Sequence, residues 1–206
     1  MECFKTWLTI IRDILAIVGI GLALWRVFVM RRTFFSDHDR SRRTKAVDLI
    51  QFWSGKVTKQ SSIARKLVES FSDDQCKSLS EQKEFNIDSN KKDLLKELFK
   101  DIKIEENQNT VKLNEAQSSV LRWEIVNYLN QLESVLTAWR HNVADKEIIE
   151  EEFHYLYDTK QNHTVVEKFR NAVGSESYLG IKEFIEHLTD QEKDKTKKKG
   201  KKPLGV

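Results

Sequence analysis

The stretch from Leu8 to Met30, LTIIRDILAIVGIGLALWRVFVM, is a nearly unbroken apolar run. A helix needs ~20 mostly apolar residues to cross a hydrocarbon core of ~30 Å, and this run is long enough. Arg12, Asp13 and Arg26 interrupt it, leaving a charge-free core from Ile14 to Trp25. Those charges fall near its two ends, where long side chains reach the headgroups. Trp7 and Trp25 stand eighteen positions apart, about 27 Å at helical rise, a spacing that suits two interfacial anchors. An interfacial or buried helix is the competing reading of so short a core.

A cleavable signal peptide carries its basic residues ahead of the apolar region and a small-residue cleavage site after it. Here the basic cluster follows: Arg26, Arg31, Arg32, Arg40, Arg42, Arg43 and Lys45. A retained anchor over residues 1–32 is therefore expected, resting on Trp7, Ile14, Gly19, Trp25, Arg31 and Arg32. Basic residues stay on the cytoplasmic side, which places the N-terminus outside and the rest of the chain within. The expected partners are the lipid bilayer and anionic headgroups, met by Arg31, Arg32, Arg40, Arg42 and Arg43. Each basic residue near such a surface contributes ~1 kcal/mol. Arg12, Ala16, Gly19, Ala23 and Arg26 recur on one helical seam. Small residues there let two membrane helices approach closely, so a homo-oligomer is a further expectation.

The remaining residues suffice for one ordinary domain with a core. One Pro and seven Gly in 206 residues disfavour a sandwich or a loop-rich enzyme. Apolar residues recur at helical spacing almost everywhere. The fold expected is all-α: an N-terminal transmembrane helix, a cytosolic helical bundle over 33–189, and a disordered lysine-rich tail over 190–206.

The periodicity predicts a first helix from Asp37 to Phe71. Its stripe is Ala46, Ile50, Trp53, Val57, Gln60, Ala64, Leu67 and Phe71. Ile50, Trp53 and Val57 would need a second copy if the domain's own core cannot cover them. A polar connector with a short helical turn around Leu79 to Lys83 follows over 72–90, then a helix carrying Leu94 to Ile102, then an exposed loop over 103–112. Asn114 caps a second long helix, Asp145 caps a third, and Gly174 ends a fourth. The last helix runs from Glu176 to about Gln191. No strand is expected.

Charge is unevenly placed. Residues 31–45 hold six basic and two acidic groups, and residues 190–206 hold seven and three. The body, 46–189, holds 19 basic and 25 acidic groups. An acidic body argues against a nucleic-acid-binding domain. The lysine tail is open to solvent, membrane contact or nucleic acid. Cys3 and Cys76 fall on opposite sides of the expected membrane and imply no disulfide or thiolate metal site.

No motif carries a chemistry. Glu151-x-x-His154 has the spacing of half a di-metal bundle site, but no second Glu-x-x-His accompanies it. Ser80-x-x-Lys83 is a spacing common by chance. No cofactor and no metal is expected. The most pointed stretch runs from Arg122 to Trp139, where Arg122, Asn127, Asn130 and Glu133 stand among strongly apolar positions. Buried polar groups are costly unless paired. These four either lock the bundle internally or form a polar interaction site.

A single N-terminal span, a long first helix, and Asn130-x-x-Glu133 followed by Asp145-x-x-Ile148 resemble a group of bacterial membrane-anchored helical families of unknown function, some suspected in phage abortive infection. The resemblance implies a bacterial inner-membrane protein of this architecture and no catalytic residue. The expected function is a membrane-tethered, non-enzymatic interaction or sensing module, in a defence or stress role. The alternative is a membrane-bound hydrolase or nuclease whose site is not readable from sequence.

Overall fold

A computed structural model describes residues 2–99, 109–157, 164–174 and 176–200, with side chains from 18 to 194 within them except at Tyr157. Among the described residues there are eight α-helices and two short strands. The chain is mostly helical, as expected. It divides into two units, 1–44 and 45–206.

The first unit is the N-terminal part of α1 (Glu2–Lys56). No proline interrupts this helix. Its apolar side chains from Val18 to Met30 are exposed. Among the described residues no helix is long and apolar enough to cross a membrane.

The second unit begins within α1 at Lys45. The single helix expected from Asp37 to Phe71 is in fact broken. α1 ends at Lys56, and α2 (Lys59–Glu69) starts afresh. Gly55 weakens the helix before the break. Thr58 turns extended and closes a capping box, accepting from the Ser61 N–H at 3.0 Å while its own N–H reaches Ser61 Oγ. Serine in place of the usual Glu or Gln at that position hides the box from a sequence reading.

Ser72 and Gln75 form a second box that opens α3 (Asp73–Ser80), where a polar connector was expected. Two four-residue strands follow where no strand was expected. β1 (Phe85–Asp88) pairs antiparallel with β2 (Thr110–Leu113) in the register Phe85↔Leu113 and Ile87↔Val111. These four face the core and their neighbours face water, the alternation a half-buried sheet requires. α4 (Lys92–Leu98) lies between the strands in sequence. The loop expected over 103–112 lies in part outside the described residues, and its end is β2.

α5 (Glu115–Arg140) begins at the expected cap, Asn114, in a full capping box with Gln117. Its inward stripe is Leu121, Ile125, Tyr128, Leu129, Leu132, Val135, Leu136 and Trp139. α2, α3, α6 and α8 all pack on it. α6 (Lys146–Phe153) starts at Asp145, whose carboxylate accepts from the N–H groups of Glu147 and Ile148. α7 (Glu167–Val173) ends at Gly174 (φ +137°) as expected. α8 (Leu179–Gly200) continues well past residue 190, where disorder was expected. Lys, Glu and Gln are good helix formers, and no Gly or Pro stands between Gly180 and Gly200.

The stripe on α1 and α2 packs within its own domain. Trp53 is buried edge-on against Tyr128 (5.2 Å) and Phe153 (5.7 Å). Ile50 and Val57 are half-buried against the same core. The domain's own core therefore covers them, and the condition under which they would need a second copy is not met.

Candidate functional site

The four polar residues singled out on α5 do not converge. Arg122 is half-buried and its Nε donates to the Ser80 carbonyl at 3.1 Å, placing a cation at the C-terminus of α3, where the helix dipole favours it. Asn127 accepts from Gln131 on its own helix at 3.3 Å. Asn130 is exposed. Its backbone carbonyl accepts from Ser134 at 2.8 Å.

Glu133 does something specific. Its two carboxylate oxygens accept from the N–H of Gly180 at 2.7 Å and of Ile181 at 2.9 Å. These are orphan donors at the start of α8. The negative charge also meets the positive end of that helix. Glu133 thus caps α8 from another helix. The approach is close enough that a Cβ at 180 would lie 3.0 Å from Glu133 Oε1 and from Thr137 N, and 3.1 Å from Leu136 C.

Sequence reasoning missed a second carboxylate of the same kind. Glu69, at the end of α2, accepts from the N–H of Thr164 at 3.0 Å and of Val166 at 3.1 Å. Between them the backbone is left-handed, with φ +51° at Val165 and +49° at Val166. For a β-branched residue that conformation is a true outlier. Arg170 donates to the Val165 carbonyl at 3.0 Å, and Lys168 donates to the Phe71 carbonyl at 3.1 Å. Arg65 pairs with Glu69 at 3.4 Å. Glu69 and Glu133 therefore hold, before and after α7, the chain that carries it.

Electrostatics couples several of these half-buried groups. Burial pulls the Arg170 guanidinium below its ordinary value, while Glu167, Glu133 and Glu69 oppose the shift. Burial pushes the Tyr178 hydroxyl up, and the nearby Arg122 charge counters it. A third carboxylate, Glu150, gathers the end of α5 and the middle of α8. It accepts from Trp139 Nε1 at 3.0 Å and from Gln191 at 3.1 Å, and His187 Nε2 lies 3.1 Å away. Lys146 sits 4.7 Å over the Trp139 ring.

A cleft of about 620 Å³ lies between α3 and α7, lined by Asp73, Lys77, Ser80, Glu81, Glu167, Lys168, Asn171 and Ala172. Among the described residues no group of three His, Cys, Asp or Glu could hold a metal ion. Ser80 Oγ is spent on the Lys77 carbonyl at 2.8 Å, and Lys83 pairs with Glu81 at 2.6 Å. Glu151 and His154 are both exposed. Cys76 is buried, and burial pushes its thiol up to about 11, so little thiolate forms near neutral pH.

In the first unit, Trp25 is 67% exposed, and Arg31 and Arg32 are exposed. Gly19 opens onto free space. Trp7, Ile14, Ala16 and Cys3 lie outside the residues whose side chains are described. Compared with models of known families, with curated proteins and with solved structures, the chain finds no match.

Proposed function

We propose that this chain is a membrane-tethered, non-enzymatic interaction or sensing module, with the first part of α1 as its tether. One observation carries the reading. Val18, Ile20, Leu22, Leu24, Trp25, Val27, Phe28, Val29 and Met30 are all exposed on one helix. At ~100° per residue these positions cover every side of it. A single protein groove covers one face of a helix, whereas a helix apolar all round calls for lipid or a complete protein sheath. In sequence the apolar run extends back to Leu8, which favours a span over a surface seat, with the arginine-rich side cytoplasmic.

The non-enzymatic part of the reading is supported by how the interior carboxylates are used. Glu69, Glu133 and Glu150 each accept hydrogen bonds from backbone or side-chain donors. They serve the fold rather than a substrate. The resemblance noted above points to a bacterial defence or stress effector at the inner membrane, and Gly19 in open space leaves room for a second tether helix in a homo-oligomer.

Carbonate extraction of membranes from cells expressing the full chain tests the tether. Retention in the pellet supports it, and full release into the wash overturns it. Reporter fusions at the C-terminus test orientation, and a fusion active only outside the cytoplasm reverses it. Loss of protection against phage when the gene is deleted would support the defence role; unchanged plating across a phage panel would count against it.

A further inference from the structure

We propose that Arg31 and Arg32 form a contact site for anionic phospholipid headgroups. This rests on the tether reading and narrows the five arginines expected to meet anionic headgroups to one local pair. The apolar band of α1 ends at Met30, and Arg31 and Arg32 follow it without a spacer, both exposed. The Arg31 guanidinium lies 5.6 Å over the Phe35 ring. Phe34 packs edge-on to Phe35 at 6.2 Å and lies 6.5 Å from His38. Phe34 and Phe35 are themselves 67% and 54% exposed. Apolar band, arginine pair and exposed aromatics therefore succeed one another within two turns of helix. In a bilayer the headgroups adjoin the acyl chains directly, so an arginine pair that abuts the apolar band falls at headgroup depth.

The sign of the charge selects the lipid. Between 31 and 43 there are five arginines against two aspartates. Guanidinium takes phosphate oxygens in a bidentate fork, so the pair suits phosphate-bearing headgroups with net negative charge. Nucleic acid offers phosphates too, but it has no surface for the apolar band that adjoins the pair. Arg40 and Arg43 lie ~12 and ~17 Å further along the axis from Arg32 at 1.5 Å per residue. That exceeds the ~8 Å screening length at physiological salt. A contact site and a diffuse positive field therefore make different predictions for the two pairs.

The test is flotation of the full chain with neutral phosphatidylcholine vesicles and with vesicles containing a third phosphatidylglycerol, at 0.15 M salt. We expect binding to both, with a clear preference for the anionic vesicles. Arg31→Gln with Arg32→Gln should reduce that preference by ~25-fold, about fivefold per arginine. Arg40→Gln with Arg43→Gln should reduce it by less than fivefold. Circular dichroism of both double variants should match the parent, since all four side chains are exposed. Equal binding of the parent to both vesicles overturns the headgroup site and leaves the tether standing. Equal losses from the two pairs overturn it in favour of diffuse attraction. Release from anionic vesicles by a short RNA overturns it in favour of nucleic acid. No flotation with either vesicle overturns the tether itself.

Discussion

The Glu133 carboxylate lies 2.7 Å from the backbone nitrogen of Gly180, a residue 47 positions away in the chain. The two positions determine each other. The carboxylate reaches the first turn of α8 only because no side chain stands at 180, and α8 starts there capped by a charge from α5. Removing either side should show. Glu133→Ala should cost ~2–3 kcal/mol, because two charge-assisted bonds go and two N–H groups lose their acceptor. Gly180→Ala should cost ~1–2 kcal/mol, since two of the three atoms it would press on are α5 backbone and only part of the strain is offset by better helix propensity. At roughly 2–4 °C per kcal/mol, both are readable in thermal melts. The combined variant should lose less than the sum, as expected for groups in contact.

Glu69 should set the opening of the chain around α7. Glu69→Gln keeps the shape of the side chain but removes its charge and one acceptor oxygen. Amide hydrogen exchange at Thr164 and Val166 should rise by ~10-fold or more, while the α5 core amides stay protected. Uniform acceleration over the domain would show instead that Glu69 supports global stability alone.

Cys76 gives the alkaline limb of stability a testable cause. Its thiol is pushed up from 9.0 to about 11 in the folded chain by burial. The raised folded value means the folded chain holds this proton more tightly than the unfolded one. Its contribution is therefore complete below about pH 8.5 and is lost as pH rises to about 11. The loss should be about 2–3 kcal/mol in denaturant titrations. Cys76→Ala should flatten that limb whatever its absolute stability. In a Cys3→Ser background, a thiol reagent at pH 8 should label Cys76 only on unfolding.

Trp53 tests whether the α1 stripe belongs to its own domain. Trp53→Ala empties the space between Tyr128 and Phe153 and should cost ~3–5 kcal/mol. Near-ultraviolet dichroism should change with it. Little loss in a dilute monomer, with loss of self-association instead, would return Trp53 to an intermolecular role.

Legibility followed the range of each interaction. The caps at Asn114 and Asp145 and the inward stripe of α5 could be read locally, because spacing and cap chemistry sit within a few residues of each other. Glu133 stood out as a polar residue on an apolar helix, yet its partner, a backbone N–H at 180, leaves no trace in sequence. Glu69 left even less, since it follows an ordinary amphipathic stripe and precedes Ser70. The break at Thr58 hid behind a serine at the N3 position. The strands escaped because four residues of alternation, Phe85–Asp88 and Thr110–Leu113, fall below what periodicity resolves.

Val165 and Val166 show what such long-range contacts impose. Left to themselves, two adjacent valines favour extended backbone. Held left-handed, each costs ~1–3 kcal/mol, about what burial of its side chain returns. Both are buried, at 0% and 2% exposure. This corner is thus a point of local frustration in an otherwise self-consistent chain. Its conformation is borrowed from Glu69 and Arg170 and is not its own. Any change elsewhere that loosens those two partners registers here before it registers in the core.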